Sequence, residues 1–283
     1  MCGKNVSAPT VIAIFNDIVE RVNWNMSPLP PGTYLDILAI AAHRDDVEQT
    51  CGGTLLKAAQ RGQRTGILDL TQGEMGTRGT WGEREREACD AASILGTQWR
   101  RALDIPDGRV ENSWENRLKV ATVIREVRPR VIILPYWKGR HPDHYTASAL
   151  GYEACFLAGL AKLPLGSSGS EAGAGTNQSE SLPPHRPFKI VYATLYYDIR
   201  PTFVVDIGAQ FEGKLASILA YKSQFTDQEA GKDLFPAQAE IRARVESMAR
   251  FYGGLGGVSH AEPFLQKEVG LVEDLLAIPV KSI

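Results

Sequence analysis

Nowhere does the chain hold the roughly 18 consecutive apolar residues that a membrane-crossing helix needs. Its start also lacks a basic segment followed by an apolar run and a small-residue cleavage site. Both absences predict a cytoplasmic protein. Cysteine is scarce: Cys2, Cys51, Cys89 and Cys155 lie scattered without a CxxC pair, which argues against a thiolate zinc site and a disulfide framework. Any metal site must therefore use histidine and carboxylate, and histidine itself numbers only 5. No charge of one sign dominates, since 31 Lys and Arg stand against 33 Asp and Glu, a net charge of -2. No global field then draws the chain to nucleic acid or anionic membranes. Two signatures are missing as well. Gly52-Gly53 is followed by no Lys-Ser/Thr and there is no GxGxxG, so nucleotide binding is poorly supported; the GxSxG elbow of a serine hydrolase is absent. The partner left by these exclusions is a small molecule.

What the chain does have is 43% apolar residues over 283 positions, ample for a sizeable core. Residues 1–33 form an N-terminal appendage: a helical pattern from Val11 to Val22, then Pro28, Pro30, Pro31 and Gly32. Residues 34–283 form one domain. The run Tyr34–Ala42 has the continuous apolar character of a strand buried on both faces. Helix is predicted from Cys51 to about Arg61, strand at Thr65–Thr71, and helices at Glu83–Leu95 and Ser113–Val127. Strands follow at Val131–Pro135, Lys189–Tyr197 and Thr202–Ile207, then a helix from Gln210 to about Ser223. Between them, residues 166–184 are rich in Gly and Ser and are predicted to be a flexible surface loop. Alternating strand and helix predict an α/β fold, a Rossmann-like doubly wound, mostly parallel sheet with helices on both faces. Ligands gather at the carboxyl ends of such strands, where residues 43–48, 71–80 and 136–144 fall.

Two of those strand ends carry chemistry. His43-Arg44-Asp45-Asp46-Val47-Glu48 follows the first strand, and Gly139-Arg140-His141-Pro142-Asp143-His144 follows the strand at Val131–Pro135. Either segment alone reads as an ordinary turn, because Asp, Gly, His and Pro all favour loops. Together they hold three of the five histidines at two strand ends predicted to converge. Two imidazoles and one carboxylate around a metal leave a position open for water, a catalytic rather than structural arrangement. The remaining carboxylate is then free to accept a proton. Spacing alone does not choose between Asp45 and Asp46 for these two roles. His141 is placed to stabilise an oxyanion and protonate a leaving amine, with Asp143 orienting its ring.

The segment AHRDDVEQTCGGTL resembles the AHPDDxE and GGTL signature of the LmbE-like, or PIG-L, deacetylases, and GRHPDHYTAS resembles their second zinc motif. LTQGEMGTRGT, HRPFKIVYATLYYD, PTFVVDI, AYKSQF and AEPF resemble the branch that deacetylates N-acetylglucosaminyl-malate in bacillithiol synthesis. The resemblance spans most of residues 34–265. It implies an LmbE-like fold and a zinc-dependent, cytoplasmic N-deacetylase, with iron(II) also acceptable to the same ligands. His43, Asp46 and His144 would hold the metal, Asp45 would be the base, and His141 the electrophilic or acid group. It also implies a homo-oligomer and alternative substrates among other N-acylated sugar conjugates, mycothiol-type or chitooligosaccharide. Arg44 replaces the family's usual proline; losing proline is expected to loosen the loop, and a cation there to lower the pKa of Asp45. That substitution is the one feature favouring a non-catalytic sugar- or metal-binding homologue. Arg78, in a Gly/Thr-rich strand-end loop, is expected to pair its fork with a substrate carboxylate such as malate. Glu48 is read either as a sugar contact or as a cap of the following helix. His185 and His260 are expected to be structural or solvated.

Overall fold

The computed structural model describes residues 29–30, 32–166, 181–227, 231–233 and 236–280. The helical pattern at 11–22 and most of the Gly/Ser stretch lie outside them. In chain order the elements are β1 (Ile37–Ala41), α1 (Asp46–Gln60), β2 (Thr65–Asp69), α2 (Trp81–Ile94), β3 (Trp99–Ala102), α3 (Trp114–Val127) and β4 (Val131–Pro135). They continue with α4 (Pro142–Ala158), β5 (Lys189–Ala193), β6 (Phe203–Asp206), α5 (Phe211–Leu219), α6 (Lys222–Phe225), α7 (Gln238–Gly256) and β7 (Ala261–Leu265).

The seven strands of the described residues form one sheet in the order β3-β2-β1-β4-β5-β7-β6. The first five are parallel, and β7 runs antiparallel to both β5 and β6. The doubly wound, mostly parallel sheet expected from the alternation is present, with an antiparallel pair added at one edge. Strand order reverses between β1 and β4, so a crevice opens beyond their carboxyl ends. Successive side chains of a strand take opposite faces. Leu38 and Ile40 of β1 and Ile132 and Leu134 of β4 pack with Val120 and Ile124 of α3 and Leu150 and Ala154 of α4. Ala39 and Ala41 of β1 and Ile133 of β4 pack with Val47 and Leu55 of α1 on the other face. Among the described residues no helix is long and apolar enough to cross a membrane.

Helix α1 begins five residues before the predicted start, and the helical geometry breaks at Cys51, with φ -143° and ψ 18°. The break has a partner that no local pattern announces. Glu262 of β7 accepts from the Gly53 and Thr54 amides at 2.9 and 2.7 Å and from Lys214 at 2.5 Å, so a buried carboxylate caps the second half of α1. Gly53 is required there because a Cβ would stand 2.9 Å from Ile207.

Candidate active site

The two histidine segments meet at the crevice between β1 and β4. His43 lies just past β1, and its backbone amide donates to Asp46 Oδ2 at 2.9 Å, closing a tight turn. The turn puts Asp45 at φ 95°, a left-handed conformation that costs a non-glycine residue about 1–3 kcal/mol and recurs at functional sites. From the other side, His141 is the N-cap of α4: its Nδ1 accepts from the Asp143 amide at 3.2 Å, and Pro142 occupies the first helical turn. His144 follows on that turn and reaches back toward α1.

His43 Nδ1 and His144 Nε2 are 3.2 Å apart, and the Asp46 carboxylate lies 3.5 Å from the former and 3.2 Å from the latter. Ligands at 2.0–2.1 Å from a tetrahedral centre stand about 3.3 Å from one another. The three donors therefore fit one divalent transition metal. His43, His141 and His144 also bring ligand atoms within 4.8 Å of one another. The rings of His43 and His141 meet edge-on at 4.7 Å.

Two carboxylates steer His43 from behind. Asp107 Oδ1 lies 3.0 Å and Asp143 Oδ2 3.3 Å from His43 Nε2, which puts the ring proton on that side and leaves Nδ1 able to ligate a metal. Asp143 orients His141 through its backbone amide and not through its carboxylate. Its carboxylate faces His43 instead and accepts from the amides of Gly108 and Val110 at 2.8 and 3.2 Å. Sequence patterning does not single out Asp107. It sits in a Pro-Asp-Gly turn after β3, a strand too charged to be recognised, so nothing local marks that turn as a strand end. Its Oδ2 accepts from the Met75 amide at 3.0 Å.

The electrostatics separate the roles of the paired aspartates. Burial pushes Asp45 up to about 7, aided by the Asp46 charge and opposed by Arg84. Asp46 is held well below the usual carboxylate range: burial works against its charge, but His144 and His43 outweigh it. Metal-free His43 is raised to about 11, hydrogen bonds to Asp107 and Asp46 overcoming burial, and His144 is raised by Asp46 in the same way. His141 moves down, through burial and then the neighbouring imidazoles His43 and His144. A neutral His141 whose Nδ1 accepts a cap bond carries its proton on Nε2, a donor suited to an oxygen gaining negative charge.

Arg44 does not depress Asp45. It turns away, donating to the Trp81 carbonyl at 3.2 Å with its guanidinium 6.0 Å from the Trp81 ring. The cation beside Asp45 is Arg84 of α2, with Nη2 at 3.8 Å; it also donates to the Arg44 and Gly73 carbonyls, each at 3.0 Å. The Thr80–Glu83 capping box fixes the start of α2 and so aims Arg84. Gly73 has φ 73°, and a Cβ there would stand 2.2 Å from Arg84 Nη1, so glycine is what lets the guanidinium approach.

Arg78 departs from expectation as well. It is buried, and its Nη1 donates to the carbonyls of Gln224 and Thr226 at 3.0 and 3.3 Å, tying the 73–80 loop to the α6 region rather than offering an open fork. Glu48 faces the interior and does not cap α1. It is wholly buried and accepts from Arg100 Nη1 at 2.6 Å and the Tyr221 hydroxyl at 3.1 Å, while Arg100 grips Asp69 with two bonds of 2.8 and 3.0 Å. His185 bonds the Pro129 carbonyl at 2.7 Å and His260 stacks on Phe211 at 4.5 Å, both away from the cluster.

An imidazole–carboxylate cluster with a separate buried carboxylate, at the switch point of a doubly wound sheet, has the makings of a metal-assisted hydrolase. Residues 38–155 match the PIG-L family, GlcNAc-PI de-N-acetylase. The chain is 31% identical over 261 residues to a diacetylchitobiose deacetylase of Thermococcus kodakarensis, covering 88% of each protein. A 1D-myo-inositol 2-acetamido-2-deoxy-alpha-D-glucopyranoside deacetylase of Saccharomonospora viridis is 28% identical, covering 70% of this chain and 87% of that protein. The conserved protein TT1542 of Thermus thermophilus superposes with a TM-score of 0.71 at 40% identity, over 84% of this chain and 98% of that one. The chain belongs to the PIG-L family of deacetylases.

Proposed function

We propose that the protein is a metal-dependent N-deacetylase that hydrolyses the acetamide of an N-acetylglucosamine conjugate to free amine and acetate. The observation that carries this reading is the division of labour in the paired aspartates. Asp46 is held ionised against two imidazoles, and Asp45 is pushed up to about 7, where a general base works best at neutral pH. His43, Asp46 and His144 would hold the metal. Zinc, or iron(II) in its place, would activate water and polarise the acetamide carbonyl. Asp45 takes the proton of the attacking water as the C–O bond forms. His141 Nε2 donates to the carbonyl oxygen as charge builds there. When the C–N bond breaks, the proton held by Asp45 passes to the departing amine, giving a neutral amine and acetic acid, which become the ammonium and acetate after proton equilibration. Arg84 holds Asp45 in place.

For the conjugate itself, N-acetylglucosaminyl L-malate is the substrate we assign, on the resemblance of the LTQGEMGTRGT, HRPFKIVYATLYYD and AYKSQF segments to the bacillithiol branch. The relatives' named substrates, diacetylchitobiose and the inositol conjugate, make another N-acylated sugar the second reading. Acetate release from a panel of these three compounds, together with metal analysis of the purified protein, tests both levels. His144→Ala should lose the metal, whereas Asp45→Asn should keep it and lose turnover by roughly 10²–10⁴-fold, as a general base does. Wild-type protein that neither holds nor responds to a divalent metal would overturn the assignment. Turnover of diacetylchitobiose above the malate conjugate would overturn the substrate while leaving the chemistry.

A further inference from the structure

Beside the imidazole–carboxylate cluster the sheet keeps a cavity of about 40 Å³ under the start of α1. Asp46 and His144 line it on the crevice side, with the exposed Lys138 and the half-buried Tyr196 at its rim. From there it runs back along β1 as far as Ala39, two residues and roughly 7 Å below the strand end at Ala41. Small side chains make this space. The last row on that face of the sheet reads Ala41, Pro135 and Ala193 across the neighbouring strands β1, β4 and β5. Opposite them the helical break at Cys51 leaves Val47 and Cys51 as the wall contributed by α1.

The wall suits an apolar guest. Thr50 donates its hydroxyl to the Asp46 carbonyl at 2.7 Å, and Thr194 Oγ1 accepts from the Tyr196 amide at 3.1 Å, so both hydroxyls are engaged with backbone. Burial pushes the Cys51 thiol up and keeps it neutral, and a neutral buried thiol packs as a small hydrophobe. An acetyl group would put a single carbon into this space. A water-sized group takes roughly 10–15 Å³ of such a cavity, so about three heavy atoms fit in line.

We propose that the cavity receives the alkyl part of the acyl group, and that the enzyme removes propionyl and butyryl groups from the sugar amine as well as acetyl. This wider activity rests on the deacetylase reading of the crevice, because an acyl carbonyl held beside Asp46 and His144 is what directs its tail into the cavity. The bond changes are those of acetamide hydrolysis: water adds to the acyl carbon, the C–N bond breaks, and the free amine and the matching carboxylate leave. Ala193 and Cys51 set the length limit, one from the sheet and the other from the helix break.

The test is amine release by the purified protein, supplied with divalent metal, from an N-acyl series of acetyl, propionyl, butyryl and hexanoyl. The series is built on whichever conjugate of the acetate-release panel is turned over. Values of kcat/KM for propionyl and butyryl should stay within about tenfold of acetyl, while hexanoyl, with two carbons more than fit, should fall about a hundredfold or more. Butyrate should inhibit about tenfold more tightly than acetate, two buried methylenes at roughly fourfold each. Ala193→Val should lower the butyryl-to-acetyl ratio of kcat/KM about tenfold, and Cys51→Ala should raise the hexanoyl-to-acetyl ratio. Such ratios, taken within one variant, do not move when part of the protein is simply unfolded. Turnover of acetyl alone, or equal turnover through hexanoyl, would overturn the wider activity and leave the deacetylase reading standing. Ratios that neither variant moves would do the same. No amine from any acyl conjugate would overturn both.

Discussion

Replacing Arg100 by Met tests the buried network behind the crevice. The guanidinium makes two bonds to Asp69, one to Glu48 and one of 3.1 Å to the Ala88 carbonyl, in surroundings closed to water. Met fills comparable volume but leaves Asp69 and Glu48 buried, with the Tyr221 hydroxyl, among the described residues, as the one side-chain donor remaining to Glu48. Removing one partner from such a network costs about 3–5 kcal/mol, since the loss is the burial of uncompensated charge rather than a contact. In a domain of this size each kcal/mol moves the midpoint of thermal unfolding by roughly 2–4 °C, so a fall of about 10 °C is expected. Adding Glu48→Gln and Asp69→Asn should recover most of it, because the orphaned charges go too. Urea unfolding at fixed metal concentration, with an unchanged slope, is the assay. Arg242→Gln, at the exposed pair with Glu212, is the control and should leave the midpoint unmoved. A loss below about 1 kcal/mol for Arg100→Met would refute the reasoning, because it would make this network no stronger than a solvent-exposed pair.

Asp107→Asn should weaken metal affinity by about 10–100-fold, the usual effect of losing a carboxylate behind a ligating imidazole; competition with a chromophoric chelator measures it. Arg78→Ala should lower kcat/KM on N-acetylglucosaminyl-malate and on plain N-acetylglucosamine by similar factors, because the guanidinium ties the loop to the α6 region; a loss confined to the malate conjugate would return it to substrate recognition. Metal uptake should weaken as pH falls. Both His43 and His144 are raised in the metal-free protein and must lose a proton to ligate, so affinity should drop by about tenfold per displaced proton per pH unit, which isothermal titration across neutral pH would show.

Those elements whose apolar pattern is continuous were legible in the sequence. Val131–Pro135 is a strand with the predicted bounds, and β1 and β2 fall within their predicted runs. Elements that spend polar residues inward were not. β3 reads Trp-Arg-Arg-Ala, and nothing local says that Arg100 is neutralised by Asp69 and Glu48. β7 contains Glu262 and Pro263, yet lies between β5 and β6, its carboxylate answered by α1 and Lys214. Helix α4 is apolar around most of its circumference, so it shows no stripe to recognise. The same division runs through the site. His43, Asp45, Asp46, His141 and His144 stand out because they sit in two short segments at strand ends, and the structure brings them together. Asp107 and Arg84 reach that cluster from other loops and helices, and the orientation of Arg44 toward Trp81 depends on a capping box in α2. A charge beside another in sequence is a poor guide to the charge beside it in space.

The left-handed backbone at Asp45 carries a cost that glycine would not. Glycine would adopt φ 95° without the Cβ penalty and would remove a carboxylate that burial and Asp46 both disfavour in its charged form. Asp45→Gly should thus yield a sturdier and inert protein, a trade between stability and activity located in one residue. The turn is a poor place to look for improvements in robustness, however attractive it looks on thermodynamic grounds, because it carries the carboxylate that burial and Asp46 raise to about 7, the proton acceptor of the proposed mechanism.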